Sequence, residues 1–66
     1  MDSIDYAADA ERYARRSADL YRQGGEAWVR GEHSLAETLF KQGLNALDRA
    51  ARARSIADAH ARAGAS

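Results

Sequence analysis

The sequence predicts an all-α fold, an antiparallel two-helix hairpin that dimerises into a four-helix bundle. Three observations carry that expectation. The chain has no proline and is rich in alanine, arginine, leucine and glutamate, all strong helix formers. Acid-then-base pairs recur four residues apart: Glu11 with Arg15, Glu26 with Arg30, Glu37 with Lys41, Asp48 with Arg52 and Asp58 with Arg62. That is the favourable orientation on a helix surface, and no strand-like alternation competes with it. Finally, the chain has 66 residues and is 45% hydrophobic, but sixteen of its residues are alanine. So few large side chains in so short a chain point to self-association or a partner as the missing source of stability.

The elements follow in order within a single domain covering residues 1–66. Helix one is expected over about residues 3–30, capped by Asp2 or Ser3, with Asp5, Asp9 and Glu11 complementing its positive end. A turn over residues 31–33 places Gly31 just past the helix, and Ser34 with Glu37 forms an S-x-x-E capping box for the next. Helix two is expected over about residues 34–62, with Arg62 at its negative end and a frayed tail over 63–66.

Both helices carry an apolar stripe at helical spacing. On the first it includes Tyr6, Tyr13, Leu20, Tyr21, Gly24 and Trp28; on the second Phe40, Gly43, Leu44, Leu47, Ala51 and Arg54. Within each stripe one row seven residues apart is small: Ala10, Ser17, Gly24 and Gly31, then Ala36, Gly43, Ala50 and Ala57. Small rows let two backbones approach while larger neighbours fill the gaps. That accounts for Gly24, which is needed where Phe40 crosses. Its neighbour Gly25 either faces a second chain or marks a kink. Trp28, Phe40, Leu44 and Leu47 are the expected core anchors. Arg54, the one charge on the seam, is expected to set register by pairing with Asp9, Glu11 or a tyrosine hydroxyl. Further apolar residues lie off the stripes, Val29 and Leu35 near the turn and Ile4 and Ile56 near the open end, which implies a second interface.

Residues Leu20, Tyr21, Gly24, Gly31, Ala36, Phe40, Gly43 and Leu44 resemble one tetratricopeptide repeat, over about residues 17–50. The resemblance implies a helix-turn-helix shape and a role in binding other proteins. Two positions depart from it. The usual tyrosine three residues after the first small position is Ala27, with Trp28 beside it, and the terminal proline is replaced by Asp48, so helix two runs on. The match is a single repeat, where stable arrays need about three.

The remaining chemistry argues for binding over catalysis. Formal net charge is zero, which argues against a dedicated nucleic-acid or membrane-surface binder. There is no cysteine, which excludes a disulfide framework or thiolate site and fits the cytoplasm. No apolar run is long enough to span a membrane. His33 lies beside Glu32 and near Glu37, and is expected to be a solvated turn residue, not a metal ligand. The stretch Ala57-Asp58-Ala59-His60 lacks the glutamate of a di-iron helix motif. No nucleophile–base pair or phosphate loop is evident, so neither enzymatic activity nor a cofactor or metal is expected. Arg12, Arg15 and Arg16 on one helix and Arg49 and Arg52 on the other form a possible polar patch at one level of the hairpin. The leading expectation is a small homodimeric interaction module that acts by helix packing, on itself or on an unidentified protein. The alternative is a small regulator or inhibitor that binds nucleic acid, or an enzyme acting on it, through the arginines.

Overall fold

Alanine, the best helix former and the smallest side chain after glycine, sets both the elements and their separation. The computed structural model describes residues 5–65 as two helices, α1 over Tyr6–Val29 and α2 over His33–Ala65. They pack against each other as an antiparallel hairpin. Helix α1 starts at Asp5, whose carboxylate accepts from the Ala8 N–H at 3.0 Å. The expected caps Asp2 and Ser3, and Ile4, lie outside the described residues. Helix α1 runs unbroken through Gly24 and Gly25.

The turn is a Schellman motif. The Glu32 N–H donates to the Ala27 carbonyl at 2.9 Å and the Gly31 N–H to the Trp28 carbonyl at 3.0 Å. Gly31 has φ +82°, a left-handed conformation that costs a β-carbon-bearing residue about 1 kcal/mol or more. Helix α2 then begins one residue earlier than expected, with the Ala36 N–H donating to the Glu32 carbonyl at 2.9 Å. Ser34 therefore lies inside the first turn and not at the cap, so the expected capping box does not form there. Its carbonyl accepts from the Thr38 hydroxyl at 3.1 Å. Helix α2 continues through Gly64 to Ala65, past the expected end at residue 62.

The described chain extends 53 × 20 × 12 Å, a single layer of two helices. A single layer has no interior beyond the line where the helices touch. Its buried apolar residues are all alanine: Ala10, Ala27, Ala36, Ala46, Ala50 and Ala53. Three of the four expected anchors lie outside that line, and only Phe40 reaches the crossing, against Gly24. Trp28 is 50% exposed, Leu44 56% and Leu47 49%, while Phe40 is half-buried. Arg54 is exposed as well, so it does not occupy the seam. The physical reason is the period of the contact. Two helices that stay in touch along their length follow a repeat of seven, with spacings alternating three and four. On α2 that track passes through Ala36, Leu39, Gly43, Ala46, Ala50, Ala53 and Ala57. Leu44, Leu47 and Arg54 fall on the flank beside it.

Candidate functional site

Four contacts fix how the helices face each other. At the open end the Tyr6 and His60 rings meet edge-on at 5.5 Å. Next, the Arg49 guanidinium lies 5.8 Å over the Tyr13 ring. Midway, the Ser17 hydroxyl donates to the Gly43 carbonyl at 2.9 Å. Towards the turn, Phe40 crosses Gly24 so closely that a β-carbon there would sit 2.5 Å from its ring. A β-carbon at Gly43 would sit 3.3 Å from the Tyr21 ring. Both glycines are thus sites where an aromatic ring lies against backbone. Gly25 differs: nothing lies within 4 Å of its added β-carbon.

Among the described residues the Ser17 bond is the one side-chain hydrogen bond across the seam, and Ser17 is 3% exposed. In the sequence Ser17 belongs to the small row, with no hydrogen-bonding role evident. Its signal was a hydroxyl residue in a row otherwise made of alanine and glycine. A buried hydroxyl needs a partner, and the opposing glycine leaves a carbonyl open to approach.

The seam divides the hairpin into two unlike flanks. One is apolar. Tyr21 and Trp28, seven apart on α1, share it with Phe40 and Leu47, seven apart on α2, and Leu44 lies next to them. The Tyr21 and Phe40 rings are 6.1 Å apart, and Trp28 stacks on His33 at 4.1 Å, so these aromatics line one side near the turn. Leu20 is half-buried along the seam. The other flank is polar. Tyr13, Arg16, Gln42, Asn45, Ala46 and Arg49 line an open groove there.

The arginine patch breaks up on inspection of its partners. Arg12 pairs with Asp9 at 3.5 Å, Arg15 with Glu11 at 3.7 Å and Arg52 with Asp48 at 2.9 Å, each within its own helix. Only Arg16 and Arg49 of that set lack an acidic partner among the described residues. Two of the expected helical ion pairs therefore form. Arg30 turns instead to Glu32 at 2.8 Å, and Glu26 to Arg22 at 3.0 Å. Arg22 also bonds Asp19, and this contact, joined by the Gln23 amide at 2.8 Å, holds the Asp19 carboxyl below its ordinary 3.8. The same bond raises Arg22 above its own usual range. Both side chains are more than half exposed, so this is a local surface effect.

Among the described residues no group of three or more His, Cys, Asp or Glu converges where a metal could bind. His33 is stacked on Trp28, and His60 meets the Tyr6 ring edge-on. No helix among them is long and apolar enough to cross a membrane. No family model, curated protein or solved structure matches the chain. The tetratricopeptide likeness therefore rests on its own residues, of which Gly24, Phe40 and Gly43 lie at the crossing of the helices.

Proposed function

We propose that this chain is a helix-packing interaction module that acts by contact and not by catalysis, dimerising into a four-helix bundle or seating a helix of another protein. The observation that supports this most is the separation of its apolar residues. The seam is built from alanine, glycine and Ser17, while Trp28, Leu44 and Leu47 are about half exposed along one flank. A contiguous apolar flank on so small a protein is a surface that gains free energy when a second helical layer covers it. The tetratricopeptide likeness fits the same use, since a lone helical hairpin of that kind cannot bury its outer face alone.

Sedimentation equilibrium over micromolar concentrations tests the reading. The expected result is a helical dimer whose assembly is insensitive to salt, because its contact is apolar. A well-folded monomer throughout that range, with no partner captured by the apolar flank, overturns it. The second reading, an acidic or phosphate-bearing partner, has one specific support: Arg16 and Arg49 share the polar groove without carboxylates of their own. Retention on heparin that falls steeply with salt favours that reading.

A further inference from the structure

On the polar flank, side chains from both helices line one open groove. Helix α1 contributes Tyr13 and Arg16, one turn apart, and α2 contributes Gln42, Asn45 and Arg49 from one face. Ala46 lies among them, buried in the seam with only a methyl group, so the longer side chains stand on either side of it. The Tyr13–Arg49 and Ser17–Gly43 contacts set the register, which places Arg16 about level with Asn45.

The lining holds two guanidinium groups and no carboxylate. Among the described residues, Arg16, Gln42, Asn45 and Arg49 make no side-chain hydrogen bond or ion pair. Their helical neighbours differ. Arg12, one turn before Arg16, is paired with Asp9, and Arg52, one turn after Arg49, is paired with Asp48. Arg49 is also positioned, 5.8 Å over the Tyr13 ring, by a contact that leaves its N–H donors without an acceptor. Two like charges thus border the same space with their donors unused.

Resting on the reading of an acidic or phosphate-bearing partner, we propose that this groove binds a phosphate monoester dianion carried by a small hydroxylated molecule. Charge selects phosphate over carboxylate. Two unpaired guanidiniums carry two positive charges, and one phosphate monoester carries about −1.5 to −2 near neutral pH. A single carboxylate has one charge and one edge, so it takes the fork of one arginine and leaves the other unmatched. A phosphate presents oxygens on several sides, which lets one fork approach from α1 and the other from α2. The rest of the lining selects what carries the phosphate. Gln42 and Asn45 each offer an amide donor and acceptor, which suits hydroxyl groups. Tyr13 supplies the ring of the groove, and Arg49 already lies over it, so it is not an open stacking face for a nucleobase. The groove lies across the seam from the apolar flank, so binding there does not require a dimer.

The test is an NMR titration of the whole chain at low salt with four probes: inorganic phosphate, glycerol phosphate, acetate and a glutamate-rich peptide. Saturable shifts are expected for the Arg16 and Arg49 guanidinium signals and the Gln42 and Asn45 amide signals. Glycerol phosphate is expected to bind at least as tightly as inorganic phosphate, and acetate about tenfold or more weakly. Arg16→Gln and Arg49→Gln are each expected to weaken phosphate binding about tenfold or more with helicity kept, since both side chains are exposed. Arg12→Gln is the control and is expected to leave phosphate binding unchanged. An equal loss in Arg12→Gln means diffuse ionic attraction and overturns the site. Inorganic phosphate binding more tightly than glycerol phosphate overturns the hydroxylated carrier. Binding of the glutamate-rich peptide through Arg16 and Arg49, with no preference for phosphate over acetate, overturns the phosphate assignment and leaves the acidic-partner reading standing. No shift at these residues with any of the four probes overturns both.

Discussion

The turn half and the open half of the hairpin use the same seven-residue repeat but fill it differently. Near the turn, glycines lie under aromatic rings: Gly24 beneath Phe40 and Gly43 beneath Tyr21. A glycine gives up helix propensity, and the ring laid on its backbone restores contact area. Towards the open end the seam is Ala10, Ala50, Ala53 and Ala57, with Tyr6 and Tyr13 reaching across to His60 and Arg49. Alanine keeps its propensity and gives little area in return. The comparison teaches that close approach of two helices is reached by two routes. One route gains packing at the expense of the helices, and the other keeps the helices at the expense of packing. The turn half is consequently the more sensitive to added volume.

The largest expected effect follows directly. Gly24→Leu places a side chain where Phe40 already lies, 2.5 Å from a β-carbon, and is expected to destabilise by about 1–3 kcal/mol. Gly25→Ala, one residue on with open space around it, is expected to be neutral or stabilising by up to about 1 kcal/mol. Thermal melts of the two variants side by side check the contrast. If they move alike, the difference between a packed and an open glycine is wrong.

A middle-sized effect is expected at the joint between the halves. Ser17→Ala removes the hydroxyl that bonds the Gly43 carbonyl at 2.9 Å, with a loss of about 0.5–1.5 kcal/mol by urea melts. Faster amide hydrogen exchange on both sides of residue 17 is expected to accompany it, because the bond ties the halves together. Ser17→Ala with unchanged stability removes the hydroxyl from the account of what holds the seam.

The smallest effect is electrostatic and lies on the surface of the turn half. Arg22 holds Asp19 below 3.8 in the folded chain, so this carboxylate adds stability above its unfolded value and loses it as pH falls through the depressed one. Solvent exposure and salt keep the contribution slight. The measurable quantity is the titration of the Asp19 carboxyl carbon by NMR, expected to have its midpoint below 3.8 and to move up in Arg22→Ala. A midpoint that does not respond to Arg22→Ala removes that guanidinium as the main cause.

What the sequence determined by itself is the part governed by neighbours along the chain. Absence of proline, helix-forming composition and the glycine at Gly31 are local facts, and they were enough for two helices and the turn between them. The Gly24–Phe40 crossing was legible as well, because Gly24 falls in the row of small residues seven apart while Phe40 falls in the larger row of the other helix. Tertiary structure decided which face of α2 is buried. Leu44, Leu47 and Arg54 share a plausible stripe with Phe40 when the helix is taken alone, yet Ala46, Ala50 and Ala53 are the residues in the seam. Hydrophobicity ranks leucine above alanine for burial, but two backbones in close contact leave room only for a methyl group. The same rule of closeness moved the large side chains to the flank, and brought the Ser17 hydroxyl onto a carbonyl twenty-six residues away. Composition sets how strongly each residue avoids water, whereas the separation of the helices sets which of them can.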